Sequence, residues 1–383
     1  MSALSPALVI AGAGATGIAC ALAAARQKIP VVLLEKSAQL GGTVTGALIH
    51  TLGGFFNDHG DTLNQGLSAE LIDRLVEASP FTCKRRIGKT WVLNVDPSIY
   101  RQVISSWLNE YPTIKVCYQT HINHAAINTQ RIDAVTVACN GQSRTLNTLA
   151  VIDATGRADI VRSIDSRLIT EGSALAGLIV QLGGVSPGTL DFPKGLALLR
   201  HIRKATEKHE LPPECAALWL DGGVYPEEIY VKFNLPAKSY DRAHMMTVAN
   251  QLLAFLQTWW PGFSEAFISC HGQLGIRDGG GVHGDYTLTE ADLKQGRQFD
   301  DAVCRAGWPI EYWHPEHGVS LDYFPSGHSY EIPLKALKVG GLNNFFVAGK
   351  CFSAEPRAQA SARVVGSCWA MGEGLVNAHF GKS

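Results

Sequence analysis

The chain has 383 residues, of which 46% are hydrophobic and only 17% are charged, and it contains 39 glycines. A chain this long and this apolar can bury a large core, which excludes a disordered protein. Its net charge of −1 gives no attraction for nucleic acid or for an anionic membrane surface, so we expect neither as a partner.

The first 25 residues carry no charged side chain, and Arg26 is the first. A hydropathy window would select this stretch as a signal peptide or a membrane span. No basic segment precedes it, however, and Gly12, Gly14 and Gly17 interrupt it at fixed spacing. We therefore expect a protein without a membrane segment, whose N-terminal stretch is a buried strand and helix.

A Gly-x-Gly-x-x-Gly turn, Gly12 to Gly17, joins a predicted strand over 8–11 to an alanine-rich predicted helix over 18–27. The next strand, over 31–34, ends at Glu35. In such a unit the glycines let the backbone approach a pyrophosphate, the helix N-terminus binds phosphate, and the acid binds a ribose. The pattern predicts a dinucleotide site, and Glu35 favours an unphosphorylated ribose. The pair Gly41-Gly42 predicts a second close approach of the backbone.

The middle of the chain adds helices and a run of short strands. Ser68 is expected to cap a helix over 69–78, and Pro97 to open one that ends near 111. Strands over 114–118, 132–139 and 145–152, the last two joined by an Asn140-Gly141 turn, predict a β-meander. The meander ends in the turn Ala154-Thr155-Gly156.

Residues 164–330 contain no second Gly-x-Gly-x-x-Gly, so we expect no fixed second dinucleotide site there. Strands predicted over 175–182, 228–234 and 267–276, with a helix over 241–260, give this part an α+β character. We read it as a substrate-binding domain, to which parts of 50–100 could contribute.

The C-terminal residues return to the first domain. A buried strand over 342–350 ends at Gly349, and a helix follows from about 364 to 378 with Val364 and Val365 in its first turn. The prediction is thus an α/β protein. Its Rossmann-like domain, a parallel sheet plus the β-meander, is discontinuous over 1–163 and 331–383, and the α+β domain over 164–330 is inserted into it.

Several of these segments together resemble the FAD-dependent oxidoreductase family related to the fumarate-reductase flavoproteins, with a glutathione-reductase-like FAD-binding fold. The matching segments are 12–17, 35–45, 152–156, 261–263, 275–277, 284–289 and 342–371. The resemblance implies FAD, bound non-covalently. It also implies the following cofactor-binding residues: Gly12, Gly14, Ala15, Thr16, Gly17, Glu35, Lys36, Gly41, Gly42, Thr43, Ala154, Thr155, Gly156, Gly349, Arg363, Val364 and Val365.

The chain departs from that family at one place. Shortly after the position of Arg277 the family usually carries two adjacent arginines that would hold an anionic or polar substrate, and here Gly279-Gly280-Gly281 stands instead. The triple glycine predicts a roomier or more mobile loop and a different substrate.

The chemistry implied by the resemblance needs few protein groups, because the flavin itself exchanges hydride and a base takes the proton. His50, His283 and His328 are the candidates for that base, each with a solvated or structural role as the alternative. Covalent attachment of the flavin is a second and less favoured role for His50. Arg277 and Arg363 are candidates for contact with substrate or reduced flavin, with a structural ion pair as the alternative for Arg363.

The leading hypothesis is an FAD-dependent oxidoreductase of the dehydrogenase or oxidase type, which exchanges hydride between a small organic molecule and flavin N5. Its external electron acceptor or donor could be O₂, NAD(P)H or another molecule. The first alternative is a flavin monooxygenase or halogenase-like enzyme that uses NAD(P)H and O₂. The second is a non-redox or structural use of FAD.

Nine cysteines are scattered along the chain without a Cys-x-x-Cys pair. Their odd number and wide spacing argue against a disulfide framework, a zinc site and a dithiol redox centre. We expect reduced thiols in a cytoplasmic protein, and no bound metal.

Overall fold

The computed structural model describes residues 6–139 and 141–381. The predicted Asn140-Gly141 turn lies partly outside them, because Asn140 is not described. Among the described helices, none combines the length and the apolar composition that crossing a membrane requires.

The first part of the chain supplies nine strands and five helices. The strands are β1 (Ala7–Ala11), β2 (Val31–Leu34), β3 (Thr51–Leu52), β4 (Cys83–Ile87), β5 (Thr90–Asn94), β6 (Ile114–Cys117), β7 (Thr120–Asn128), β8 (Arg131–Cys139) and β9 (Gln142–Asp153). The helices are α1 (Ala15–Arg26), α2 (Thr43–Gly46), α3 (Leu67–Ala78), α4 (Pro97–Asn109) and α5 (Asp159–Ile164).

The second part supplies eleven further strands and five helices. The strands are β10 (Ile169–Thr170), β11 (Ala176–Gly183), β12 (Trp219–Gly222), β13 (Ile229–Leu235), β14 (Phe267–His271), β15 (Gly281–Val282), β16 (Ala302–Ala306), β17 (Ile310–His314), β18 (Gly318–Asp322), β19 (Tyr330–Pro333) and β20 (Phe345–Val347). The helices are α6 (Lys194–Glu207), α7 (Arg242–Trp259), α8 (Glu290–Gln295), α9 (Pro356–Ala362) and α10 (Val365–Phe380).

The largest sheet contains both a parallel and an antiparallel part. Strands β6, β2, β1 and β9 lie side by side and parallel, and β20 pairs with β9 on its other side. Residues 142–147 of β9 pair antiparallel with β8, which in turn pairs with β7. One long strand therefore joins the two parts, and the predicted parallel sheet with a β-meander is confirmed. The polar strand β7 was not predicted.

Helix α1 is buried along almost its whole length, from Thr16 to Ala25. Its small side chains let α10 approach closely, because a Cβ added at Gly372 would lie only 2.9 Å from that of Ala19. The Cys20 thiol donates to the Gly372 carbonyl oxygen at 3.3 Å. The charge-free N-terminal segment is thus the inner layer between the sheet and α10.

Helix α3 begins two residues earlier than predicted, at Leu67, and Ser68 does not cap it. Ser68 is buried inside the first turn, and its hydroxyl has no hydrogen-bond partner among the described residues. The Leu67 N–H donates instead to a carboxylate oxygen of Glu373 in α10, at 2.8 Å. The start of this helix is therefore fixed by Glu373, which lies 306 residues after Leu67 in the sequence.

The second sheet has the strand order β12-β13-β11-β14, and its pairs are antiparallel. One face packs on α6 and α7, and together they form a separate hydrophobic core. On the other face, Ile179 and Tyr230 pack against Leu48 of the first domain. The second sheet therefore covers the loop that follows Gly41-Gly42.

The two cores draw on different stretches of the chain. The core under the second sheet uses side chains between 178 and 266. Buried side chains between 288 and 337 pack into the first core, next to those of β1 and α1. The domain boundaries given above stay a prediction.

Candidate cofactor and substrate site

The three glycines of the first turn have different surroundings. A Cβ added at Gly12 would lie 2.4 Å from the Ala154 carbonyl oxygen, and one at Gly17 would lie 1.8 Å from the Gly12 carbonyl oxygen. A Cβ at Gly14 would find only Gly42 within 4 Å, at 3.8 Å from its Cα. The outer glycines let the strands and α1 touch, and Gly14 leaves room in front of the helix N-terminus.

The carboxylate of Glu35 is held at the end of β2. One oxygen accepts the Ala13 N–H and the other the Ser37 N–H, both at 2.8 Å. A carboxylate has about four acceptor positions, so two remain for the hydroxyls of a ribose. Binding of a ribose by Glu35 stays a prediction.

The turn after β9 is held by a buried carboxylate. Asp153 accepts the Thr155 hydroxyl at 2.7 Å and the Ile160 N–H at 2.8 Å. Burial raises the pKa of Asp153 above its usual value, against the effect of these hydrogen bonds. The side chain fixes Ala154-Thr155-Gly156 beside the glycine turn.

A cavity of about 570 Å³ lies in front of these turns. Most predicted cofactor-binding residues line it, namely Gly12, Gly14, Ala15, Thr16, Glu35, Lys36, Gly42, Thr43, Ala154, Thr155, Gly156, Gly349, Arg363 and Val365. Gly17, Gly41 and Val364 are not in its lining. Gly17 packs against Gly12 and Ala154, Gly41 donates its N–H to the Ala13 carbonyl oxygen at 2.9 Å, and Val364 packs against Gly54.

Residues that the sequence did not single out complete the wall. Gln273 and Leu274, which follow β14 of the second sheet, line the same cavity, and so does Lys350. The Lys350 ammonium donates to the Ile276 carbonyl oxygen at 2.7 Å, and burial lowers the pKa of this lysine. Lys350 thereby joins the Gly349 turn to the segment that follows the second sheet.

A cluster of charged side chains surrounds Trp313 near Arg363. The Arg277 guanidinium carbon lies 4.1 Å, and the Lys232 ammonium 4.9 Å, from the centre of the Trp313 ring. Arg363 donates to the backbone carbonyl of Glu311, at 3.4 Å. We call Lys232, Arg277, Glu311 and Arg363 the Trp313 cluster. The sequence predicted Arg277 and Arg363 but not the other two.

The charges in the Trp313 cluster perturb one another. Burial lowers the pKa of Lys232 to about 7, with a further lowering by the charge of Arg277. Burial also lowers the pKa of Arg277, to about 9, and that of Arg363. Burial alone would raise the pKa of Glu311, but the charges of Lys232 and Arg363 hold it below its usual value.

His50 lies between the second sheet and a small three-stranded sheet with the order β3-β5-β4. Its Nε2 is 3.1 Å from a carboxylate oxygen of Asp221, which also accepts from Arg85 at 2.5 Å. The ring stacks on Tyr230 with a centroid distance of 3.7 Å, and Nδ1 is buried without a hydrogen-bond partner among the described residues. His50 does not line the cavity, although Gly46 and Ala47 just before it do.

The other two predicted histidines lie away from this cavity lining. His283 pairs with the Thr170 hydroxyl at 3.0 Å, and His328 contacts the Leu293 carbonyl oxygen at 2.6 Å. The structure therefore brings together Arg277 and Arg363, places His50 at the interface of the two sheets, and leaves His283 and His328 apart.

The triple glycine does not form a roomy loop, contrary to the sequence prediction. A Cβ at Gly279 would lie 2.2 Å from the Gly156 carbonyl oxygen, so the segment packs tightly on the turn after β9. The carbonyls of Gly279 and Gly280 accept hydrogen bonds from Arg162 and Gln359. These glycines allow the close packing of this segment on the first domain.

One group of side chains in the described part of the chain could offer ligand atoms to a metal ion. Atoms of His314, Glu316 and His317, at the tip of the β17–β18 hairpin, lie within 4.8 Å of one another. The Nδ1 of His314 already accepts the backbone N–H groups of the other two residues. None of the three lines the 570 Å³ cavity.

Comparison with known proteins gives a family for the chain and distant structural similarities. The sequence profile of the family described as "FAD dependent oxidoreductase" matches residues 7–170 and 185–378. No curated protein sequence matches the chain.

Solved structures resemble the chain at low sequence identity. A triple mutant of a flavin-dependent brominase is 11% identical over 97% of this chain and 78% of its own, with a TM-score of 0.48. The p-nitrophenol 4-monooxygenase from Pseudomonas putida is 9% identical over 97% of this chain and 77% of its own, with a TM-score of 0.47. A geranylgeranyl bacteriochlorophyll reductase-like protein from Thermoplasma acidophilum is 9% identical over 97% of this chain and 76% of its own, with a TM-score of 0.46.

Proposed function

The chain belongs to the FAD dependent oxidoreductase family, and on that premise we propose that it is a dehydrogenase or oxidase acting on a small organic molecule by hydride exchange with flavin N5. One observation carries the proposal. The cavity beside the glycine turn is walled on its other side by Gln273 and Leu274 of the second sheet region and by Arg363. A cofactor bound along the turn would thus meet a partly charged compartment.

The residues present fit FAD. The volume of the cavity, about 570 Å³, lies in the range of about 300–1,000 Å³ that ligand pockets occupy. The N-terminus of α1 has no side-chain cap, so its free N–H groups can bind the pyrophosphate, while Glu35 binds the ribose. Bound FAD supplies the hydride acceptor or donor; the protein binds, orients and shields it.

The N-terminus of α10 also borders the cavity. Val365 is its first residue and lines the wall, and no side chain caps this helix end. The positive end of the helix dipole and the guanidinium of Arg363 therefore favour negative charge at this wall. Such a wall stabilises the electron-rich state of a bound redox group.

Among the predicted bases, the geometry favours His50. Asp221 fixes the ring through Nε2, and Nδ1 is left buried and without a partner among the described residues. A histidine oriented by a carboxylate is a suitable proton acceptor near neutral pH. Gly46 and Ala47, which precede His50 in the chain, line the cavity.

The proposal is tested with the purified chain. FAD content is measured before and after reconstitution, and the FAD-loaded protein is mixed without O₂ with a panel of hydroxy acids, amino acids and amines. Loss of the visible flavin absorption with one of these supports the proposal, and a chain that binds no FAD contradicts it. Consumption of NADPH that requires O₂ would favour the monooxygenase alternative. The matched control is Gly14→Ala, which should bind FAD poorly and show no such absorption change.

A further inference from the structure

Lys232 lies in β13, an inner strand of the second sheet. Its side chain is on the face that packs against the first domain. In β13 it is flanked by Tyr230, which stacks on His50, and by Asn234, which accepts from Arg277 at 2.7 Å. It is paired with Ile179, whose side chain packs on Leu48 of the first domain. Lys232 is nevertheless only part-buried. A part-exposed side chain at this place borders a space between the domains.

The backbone of Gly177 lets two cations come together there. A Cβ added at Gly177 would lie 3.0 Å from an Nη atom of Arg277 and 3.4 Å from Cε of Lys232. Both side chains also lie against the Trp313 ring. The two positive charges are therefore held in one place by packing, and neither forms an ion pair with a carboxylate of the described residues.

The Trp313 cluster carries more positive than negative charge. Its only carboxylate, Glu311, accepts the indole N–H groups of Trp308 and Trp313 at 3.1 and 2.8 Å. The nearest further acid that acts on Lys232 is Asp221, which is already bound by His50 and Arg85. Within the cluster three cations thus face one carboxylate, and Asp221 and Asp278 act on Lys232 and Arg363 from outside it. A buried excess of charge is costly unless a counter-charge arrives.

The hydrogen bonds of the cluster show which cations are free. Some of the hydrogen-bond donors of Arg277 are already used, because its two Nη atoms donate to the Leu175 carbonyl and to Asn234. Arg363 makes one long hydrogen bond, of 3.4 Å, and lines the 570 Å³ cavity. Across the described residues, the Lys232 ammonium makes no hydrogen bond to the protein. Arg363 therefore has donors to spare on the side of the cavity, and the part-exposed Lys232 ammonium has donors that no described protein group accepts.

From this geometry we propose that Lys232 and Arg363 bind an anionic group of the substrate, the carboxylate of a small organic acid. Arg277 is a positioning residue that keeps the site positive. A guanidinium fork and an ammonium match the two oxygens of a carboxylate. The phosphates of FAD have their own site at the glycine turn and α1. The inference rests on the proposed function, since it names the substrate class of the same compartment.

The experiment compares anions with neutral molecules of the same shape. Formate, acetate and benzoate are titrated into the FAD-loaded protein by calorimetry and by the change in flavin absorption, with formamide, acetamide and benzamide as controls. We expect the acids to bind at least about ten-fold more tightly than their amides. Acids that bind no better than amides would overturn the inference.

Variants assign the binding to Lys232. Lys232→Met should weaken acetate binding by at least about ten-fold, and Lys232→Arg should restore it to within about three-fold. The control is Lys238→Met, because Lys238 is an exposed lysine of the same domain. This variant should bind acetate with the affinity of the wild type. Wild-type affinity in Lys232→Met would overturn the inference.

The pH dependence gives a second readout. Arg277, Glu311, Arg363 and Asp221 face Lys232 from the elements packed around it, and its pKa is about 7. Acetate binding should weaken as the pH rises above that value, because the ammonium loses its proton, and it should stay constant in Lys232→Arg. A flat wild-type profile contradicts the inference.

The failure of this inference can be told from failure of the proposed function. Calorimetry needs no flavin signal, so it measures anion binding in the purified chain whether or not a substrate reduces the flavin. Flavin reduction without discrimination between acids and amides overturns the anion site alone. A chain that binds no FAD overturns the proposed function, and the acid–amide comparison is still decided by calorimetry.

Discussion

Gly14 and Gly17 belong to one turn, and the structure predicts opposite consequences when each is replaced by alanine. A Cβ at Gly17 would lie 1.8 Å from the Gly12 carbonyl oxygen, whereas non-bonded carbon and oxygen atoms approach to only about 3.3 Å. Backbone atoms of the turn or of α1 would have to move by more than about 1 Å in a close-packed core. We expect Gly17→Ala to lower the free energy of unfolding by about 3 kcal/mol or more.

At Gly14 the same substitution meets only the Gly42 Cα, at an ordinary contact distance of 3.8 Å. Its φ of −82° suits alanine. The stability of the FAD-free protein should therefore change by less than about 1 kcal/mol. The added methyl group would stand in the cavity before the N-terminus of α1, so we expect FAD affinity to fall by at least about ten-fold, or about 1.4 kcal/mol.

Two measurements separate these outcomes. Urea unfolding of the FAD-free protein reports stability, and quenching of flavin fluorescence during titration reports FAD affinity. Gly222→Ala is the matched control, because an added Cβ there meets nothing within 4 Å and Gly222 does not line the cavity; it should change neither quantity. Wild-type stability in Gly17→Ala, or wild-type FAD affinity in Gly14→Ala, would refute the assignment of roles within the turn.

Two further predictions concern buried polar contacts. Tyr100→Phe removes the acceptor of the Trp369 indole N–H, which donates to the Tyr100 hydroxyl at 3.0 Å in the core, and should cost about 1–3 kcal/mol in urea unfolding; an unchanged midpoint would contradict this. Burial alone would raise the pKa of Asp221, but His50 and Arg85 hold it below its usual value. Asp221→Asn should therefore cost about 2 kcal/mol at neutral pH, and the gap to the wild type should close as the pH falls below the ordinary carboxyl pKa of about 4. A gap that is constant with pH would show that the charge of Asp221 is not the cause.

The sequence predicts the glycine turn and Glu35 well because their relation is local. The spacing of Gly12, Gly14 and Gly17 between a strand and a helix defines the turn without knowledge of the rest of the chain. The start of α3 was predicted wrongly for the opposite reason. Glu373 caps it from α10, and no pattern around Ser68 reveals a partner so distant in the chain.

The triple glycine shows a second limit. A run of glycines in a sequence indicates either a flexible backbone or a backbone that packs closely against another segment. Only the residues that contact the glycines in the folded protein distinguish the two. Here the neighbour is the Gly156 carbonyl oxygen, 2.2 Å from the Cβ that Gly279 lacks. The missing arginine pair is therefore no evidence for an uncharged site, since positive charge reaches the compartment from other elements.

Lys232 shows why that charge could not be found in the sequence. The alternation over 228–234 correctly predicts a strand, and a lysine in such a pattern is normally assigned to the face in water. In this fold both faces of β13 are covered, one by α6 and α7 and the other by the first domain. The partners of Lys232 come from other elements of the chain, as Trp313 and Arg277 do. Strand periodicity indicates which residues share a face, but the chemistry of a site depends on what a folded neighbour places against that face, and here it makes a lysine part of the candidate site.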